Sequence, residues 1–146
     1  MLQLKKSALF KKVSPEEFKV LIPMAQQQTL ASGSIIFYQD HPAEKIYLLD
    51  TGSVAIKTLC SNGLEITYEM ITQKGGSFGL SALVAPFRFT TTAICVEKTQ
   101  VVVFGRKDLI RTFTQYPLLG FKVMQNLCIL IARRLEWTRQ LLAGQI

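Results

Sequence analysis

The stretch that decides the fold is KIYLLDTGSVAIKTLCSNGLEITYEMIT, residues 45–72, in which short runs of β-branched and aromatic residues are separated by turns. The turn signals are DTGS at residues 50–53 and SNG at residues 61–63. Asn-Gly readily adopts the positive φ angles of a two-residue hairpin turn, so the second signal suits a tight hairpin. The stretch therefore predicts antiparallel strands joined by short turns.

The strand pattern continues on both sides of this stretch, over residues 28–104, through TLASG, SIIFYQ and TTAICVEKTQVVVF. No helical pattern interrupts it before Gly79. Strands at this spacing are typical of an antiparallel sandwich or barrel. The sequence therefore predicts a mainly β fold with flanking helices, an eight-stranded antiparallel β-sandwich or jelly roll (double-stranded β-helix).

Helices are predicted on either side of the strands, over residues 1–25 and 106–142. The first region contains SPEEFKVLIPMA, which opens with a helix-start signal. Ser14 is a candidate N-cap, Pro15 fits the first helical position, and Glu17 can complete a capping box. We expect these helices and the strands to belong to one domain.

The long C-terminal helix, which begins at Pro117, carries two apolar stripes. Steps of three and four residues connect the first stripe, which consists of Phe121, Met124, Cys128, Ile131, Leu135, Thr138 and Leu142. The same steps connect Val123, Leu127, Leu130, Arg134, Trp137 and Leu141. One domain can bury one stripe, so the pair predicts a homodimer through the first stripe together with Leu127. The alternative is a single wide stripe that lies entirely on the sandwich.

Composition limits the class of protein. Hydrophobic residues make up 49% of the 146 residues and charged residues 18%, which indicates one globular domain over residues 1–146. The net charge of +7 favours an anionic partner such as a nucleotide, a nucleic acid or a membrane surface. No apolar run is long enough to span a bilayer or to form a signal peptide, and we expect a cytoplasmic protein.

The cysteines and the single histidine argue against a metal site. Cys60, Cys95 and Cys128 are widely separated and have no metal-ligand spacing, and His41 is the only histidine. We therefore expect reduced thiols and no metal.

Residues 76–92, GSFGLSALVAPFRFTTT, have the composition of an anion site. A short helix that begins near Gly79 would present free backbone N–H groups to an anion. Arg88 can add a charged two-pronged donor, and Thr90, Thr91 and Thr92 can add hydroxyl donors. The alternatives are a simple turn, strand-forming threonines and a solvated arginine.

This order of elements resembles the cyclic nucleotide-binding domain of catabolite activator-type bacterial regulators. GSIIFYQDHPAEKIYLLDTGSVAI is similar to the strand-turn pattern of that family, in which the matching positions are Gly33, Asp40, Tyr47, Leu49, Gly52 and Val54. GGSFGLSAL resembles the start of the family's phosphate-binding cassette, which implies ligand contacts from Phe78, Gly79, Leu80, Ser81 and Ala82. YPLLGFKVMQNLCILIARRLEWTRQLL resembles its dimer helix.

Two positions depart from the family's cassette. Leu80 stands where the resemblance implies a glutamate that accepts hydrogen bonds from the ribose, and losing such a bond costs roughly 1.5–3 kcal/mol. Arg88 is out of register, and counting back from Glu97 places Phe89 or a threonine at the position of the phosphate-binding arginine. We therefore predict that cyclic AMP and cyclic GMP bind weakly or not at all. A smaller anion with an apolar body, or a cavity filled by the protein's own side chains, are the alternatives.

The resemblance implies a regulatory ligand-sensing domain with no resident cofactor. No helix-turn-helix is visible after the dimer helix, so the alternatives are the sensor part of a transcription regulator and a partner-binding module without a small ligand. His41 lies between Asp40 and Pro42, which is typical of a turn. No base and nucleophile share a motif, and we expect no enzyme activity.

Overall fold

Eight strands form two four-stranded antiparallel sheets in the computed structural model, which describes residues 2–144. The strands are β1 (Gln26–Leu30), β2 (Ile35–Phe37), β3 (Lys45–Thr51), β4 (Val54–Leu59), β5 (Glu65–Ile71), β6 (Ser77–Phe78), β7 (Thr92–Cys95) and β8 (Thr99–Gly105). The predicted antiparallel sandwich is confirmed. The first and last residues of the 1–146 domain assignment, Met1, Gln145 and Ile146, lie outside the described residues.

Helices flank the sheets at both ends of the chain. They are α1 (Leu2–Lys6), α2 (Pro15–Leu21), α3 (Arg106–Gln115) and α4 (Pro117–Ala143), and short 3-10 turns occupy Ala8–Phe10, Ile22–Met24 and Leu80–Leu83. The Ser14 hydroxyl accepts a hydrogen bond from the backbone N–H of Glu17, and the Glu17 carboxylate accepts one from the N–H of Ser14. The predicted capping box is confirmed.

The two sheets differ in how they are covered. One has the strand order β1-β8-β3-β6 and the other β2-β7-β4-β5. In the first, β3 and β8 are buried on both faces because helices cover the outer one; the Phe10 and Phe104 rings, for example, meet at 5.6 Å. In the second, most of β5 is exposed. The core therefore fills the sandwich and extends under the terminal helices.

Helix α4 is fixed to the N-terminal segment by polar contacts. The buried Asn126 side chain donates from Nδ2 to the carbonyl oxygens of Leu9 at 2.9 Å and Lys11 at 2.8 Å. Lys122 Nζ lies 2.6 Å from Glu17 Oε1. Partial burial by itself raises the pKa of Glu17, but the hydrogen bonds and charge of Lys122 and Ser14 outweigh it, so the pKa lies below its ordinary value.

The lowered pKa of Glu17 predicts a pH-dependent contribution to stability. A depressed carboxyl pKa stabilises the fold fully above the unfolded value, near 4.5, and the contribution is lost as the pH falls through the folded value. Glu17→Gln should therefore lower the free energy of unfolding by about 1–2 kcal/mol at pH 7, and the deficit should shrink below pH 4.5. Glu16→Gln, which removes an exposed partner of Lys19, should have little effect at either pH. Urea unfolding at pH 7 and pH 3.5 measures this; equal deficits at both would contradict it.

Burial separates the two predicted stripes only in the first half of α4, since Trp137 and Leu141 of the second stripe are exposed. Leu119, Val123 and Leu127 are buried against the domain, so placing Leu127 among the dimer contacts was wrong. Thr138 is half-buried and its Oγ1 lies 2.8 Å from the Tyr68 hydroxyl, so it also contacts its own domain. The other members of the first stripe are exposed: Phe121, Met124, Cys128, Ile131, Leu135 and Leu142.

Candidate functional site

A cavity of about 460 Å³ lies between the sheet of β4 and β5, the segment 78–91 and helix α4. This volume falls within the range of small-molecule sites. Four elements line the cavity, and their lining residues are Ile56, Thr58, Tyr68, Glu69, Phe78, Gly79, Leu80, Ser81, Val84, Phe89, Thr90, Thr91, Ile131 and Arg134. The segment 78–81 thus lies where the sequence places the start of the cassette.

An aromatic cluster supports one wall of the cavity. Phe37 stacks on Phe89 with ring centroids 3.8 Å apart, and Tyr47 stacks on Phe78 at 5.3 Å. Burial raises the pKa of the Tyr47 phenol, which therefore stays neutral. Because Phe78 and Phe89 are both buried and both line the cavity, this wall is apolar and rigid.

Gly79 begins the turn that follows. Its φ of 72° is left-handed, and a Cβ placed there would lie 3.0 Å from Tyr47 Cδ2. The turn that follows is a four-residue 3-10 helix, Leu80–Leu83. The sequence predicted a helix with a dipole suited to an anion, but one 3-10 turn is too short to supply that field.

Apolar side chains dominate this turn. Leu80 is buried and lines the cavity, so the position at which the resemblance implies a glutamate presents a hydrocarbon surface. Ser81 also lines the cavity and contributes a hydroxyl. Ala82 is fully buried and lies outside the lining, contrary to its predicted place among the ligand contacts.

Arg88 lies outside the cavity lining and is exposed. It forms an isolated β-bridge with Pro42, since the backbone N–H of Phe89 donates to the carbonyl of His41 at 3.0 Å. The neighbouring Phe87 packs under the Arg106 guanidinium, 4.6 Å from its ring centroid. The predicted contribution of Arg88 to the site is therefore not met in this conformation, because its loop is paired with the segment before β3.

The three candidate threonines divide between the cavity and the sheet. Thr90 and Thr91 line the cavity. Thr92 begins β7, and its hydroxyl accepts a hydrogen bond from the backbone N–H of Gln39 at 2.9 Å. Thr92 is thus a sheet residue, and Phe89 occupies the wall position that the sequence count gave as one candidate for the arginine position.

Four lining residues on β5 and α4 were not predicted as ligand contacts, and one of them, Ile131, was predicted as a dimer contact instead. Arg134 donates from Nη2 to the carbonyl of Ser77 at 3.1 Å, and its Nε lies 3.6 Å from Glu69 Oε1. Tyr68 meets the edge of Trp137 at 5.7 Å, and Ile131 completes the α4 side. A signal was present in the sequence: Arg134 is the charged member of an otherwise apolar stripe on the predicted helix.

The arrangement is suited to binding. Its walls are apolar, and hydroxyl groups and the Glu69–Arg134 pair supply its polarity. Within residues 2–144, no group of three or more His, Cys, Asp or Glu side chains is placed to hold a metal ion. No helix in the same range has the length and apolarity needed to cross a bilayer.

Comparison with known proteins shows which family this chain resembles. Residues 27–116 match the family model described as the cyclic nucleotide-binding domain. The cyclic AMP receptor protein of Thermus thermophilus is 30% identical over 133 residues, which are 91% of this chain and 59% of that protein. The chain therefore spans about three fifths of the length of this curated relative.

Solved structures give the same architecture. The catabolite activator protein of Thermus thermophilus superposes with a TM-score of 0.80 at 28% identity, covering 95% of this chain and 63% of that one. A cyclic nucleotide-binding domain from Methylobacillus flagellatus superposes with a TM-score of 0.86 over 99% of this chain and 81% of that one. At 20% identity, the second match shows the fold alone.

Proposed function

Because this chain belongs to the cyclic nucleotide-binding domain family, we propose that it is a ligand-sensing and dimerising domain whose cavity does not hold cyclic AMP or cyclic GMP in the family's usual way. Its sensing element is the cavity, and its output element is helix α4, which forms one wall of that cavity through Ile131 and Arg134. A ligand that changes this wall would change the position of α4.

The observation that carries the proposal is the identity of Leu80 and Phe89. Both are buried and both line the cavity. Leu80 stands where the resemblance implies the ribose-binding glutamate, and Phe89 is one candidate for the position of the phosphate-binding arginine, a threonine being the other. Neither can accept or donate a hydrogen bond through its side chain, so the ribose and phosphate groups of a cyclic nucleotide would lose their usual charged partners at these two positions. Arg88 does not compensate, since it lies outside the lining.

The exposed stripe of α4 supports dimerisation. Its members, from Phe121 to Leu142, follow the heptad spacing of a coiled coil, and several large apolar side chains are about half exposed. A monomer would leave this row in water, whereas a second copy of α4 would bury it. Together with the regulatory names of its relatives, this supports the sensor and dimerisation part of a catabolite activator-type transcription regulator as the cellular role.

Calorimetric titration of cyclic AMP and cyclic GMP tests the proposal. The wild-type protein should bind neither with a dissociation constant below about 100 μM, because two charged contacts are missing. Leu80→Glu, combined with Phe89→Arg, should restore measurable binding by returning both groups to the lining. Ser81→Glu is the matched control, because it places a carboxylate one position away and should restore nothing. Micromolar binding by the wild type would overturn the proposal.

A further inference from the structure

The cavity has a distinct chemical character that identifies a class of ligand. Among the described residues that line it, Glu69 and Arg134 are the two that carry a formal charge at neutral pH. Most of the remaining surface is hydrocarbon or aromatic, with a few hydroxyl groups. A ligand that matches this lining has a large apolar body and one small polar group.

The ion pair between Glu69 and Arg134 is long and therefore weak. The Arg134 Nε to Glu69 Oε1 distance of 3.6 Å exceeds the 2.7–2.9 Å that is ordinary for a charge-assisted hydrogen bond. The two side chains are 32% and 33% exposed, so solvent reaches both. A guanidinium has five N–H donors in a planar fork, which matches a carboxylate with two parallel bonds. Arg134 can therefore keep its bond from Nη2 to the Ser77 carbonyl and exchange its weak contact with Glu69 for a two-pronged contact with an incoming anion through its other N–H donors.

The surroundings of Arg134 favour an anion over a cation. Arg134 and Glu69 also line a neighbouring groove of about 480 Å³, to which Lys6, Lys74 and Arg133 contribute. Lys74 is paired with Asp50, but the groove still carries more cationic than anionic side chains. Like charges near one site raise the local concentration of the opposite charge. The head group of the ligand should therefore be negative.

We propose that the cavity binds an amphipathic monoanion, with its apolar body among Ile56, Phe78, Leu80 and Phe89 and its carboxylate on Arg134. This deepens the proposed function, on which it rests for the exclusion of cyclic nucleotides. Ile131 and Arg134 are neighbours on one face of α4, since residues three apart lie side by side on a helix. The same anion therefore contacts the helix that carries the exposed stripe.

Titration of 4-phenylbutanoate and its neutral analogue 4-phenylbutanamide tests the ligand class. The acid should bind the wild type with a dissociation constant below about 1 mM and at least tenfold more tightly than the amide. Arg134→Gln should remove this preference, whereas Arg139→Gln, an exposed arginine of the same helix that lines neither the cavity nor the groove, should leave it unchanged. If Arg134→Gln does not fold, Arg134→Lys keeps the charge without the fork and should weaken acid binding severalfold.

A change at Glu69 should have the opposite effect on the affinity for the acid. Glu69→Gln removes the anion that competes for Arg134 and should tighten binding of the acid severalfold. Glu65→Gln is its matched control, since it lies on the same strand in a 3.6 Å ion pair with Lys57 and does not line the cavity. Amide nitrogen shifts of Ile131 and Arg134 on titration should locate the acid against α4.

The outcomes separate this inference from the proposed function. Equal binding of acid and amide, equal losses in Arg139→Gln and Arg134→Gln, or no binding of the acid would overturn the ligand class while leaving the exclusion of cyclic nucleotides intact. Micromolar binding of cyclic AMP by the wild type, run in the same series, would overturn the proposed function itself.

Discussion

Leu135→Lys combined with Leu142→Lys should dissociate the proposed dimer to monomers at micromolar concentration. Both side chains belong to the exposed stripe of α4 and are 49% and 63% exposed. Burying the exposed half of a large apolar side chain is worth about 1 kcal/mol, and a symmetric dimer buries four such halves here. The loss of about 4 kcal/mol should weaken dimerisation roughly a thousandfold. Sedimentation velocity over a concentration series measures the change.

Ile129→Lys is the matched control for this change. Ile129 is on the same helix and is 44% exposed, but it lies one position away from Cys128 and outside the stripe. It should leave the dimer intact, and the double variant should keep its β-sheet signal in circular dichroism. A wild type that is monomeric at high micromolar concentration, or equal weakening by Ile129→Lys, would contradict dimerisation through the stripe.

The sequence predicts the fold well because its local signals agree with the tertiary structure. The SNG turn at residues 61–63 joins β4 and β5, and Pro117 begins α4 at its first position. Ser14 and Glu17 form the predicted capping box because every atom of that motif lies within four residues. Such signals need no distant partner, so they can be read from the sequence alone.

The site is predicted less completely because its geometry depends on distant segments. The turn at Gly79 is positioned by a close approach to Tyr47, and the short helix that the sequence predicted after it is a single 3-10 turn. Arg88 is directed by pairing of its loop with Pro42, forty-six positions earlier. No local sequence pattern indicates either contact. The sequence therefore predicted where the cavity lies but not all of the residues that line it.

The contact between β5 and α4 also depends on residues that are distant in the sequence, but one sequence feature does point to it. Glu69 and Arg134 are 65 positions apart in the sequence. They come within 3.6 Å of each other only because α4 packs against β5. An arginine within an apolar helical stripe nevertheless indicates that this part of the stripe faces something other than hydrocarbon. Here it faces the wall of the cavity and a carboxylate. A charged residue in an apolar stripe is therefore a sign of a site between elements.

Asn126→Ala should destabilise the protein strongly, because this side chain makes two of the polar contacts that fix α4 to the N-terminal segment. It is 7% exposed and donates to two carbonyl oxygens, those of Leu9 and Lys11. Leaving one buried and one partly buried carbonyl without donors costs roughly 2–4 kcal/mol, and the melting temperature should fall by about 6–12 °C. Asn126→Asp should cost more at pH 7, since a carboxylate would face both carbonyl oxygens with no proton to donate.

The pH dependence of Asn126→Asp separates this hydrogen-bond role from simple packing. Asparagine and aspartate have nearly the same shape, so a deficit in the variant reports the lost donors and the buried charge and not a loss of packing. The hydrogen-bond role predicts a deficit that shrinks as the pH is lowered towards 4, because a protonated carboxyl regains one donor. Gln125→Asp, which adds the same charge at the exposed neighbouring position, should show a small and pH-insensitive change. Differential scanning calorimetry at pH 7 and pH 4 distinguishes the two, and a deficit in Asn126→Asp that does not respond to pH would rule out the hydrogen bonds as its cause.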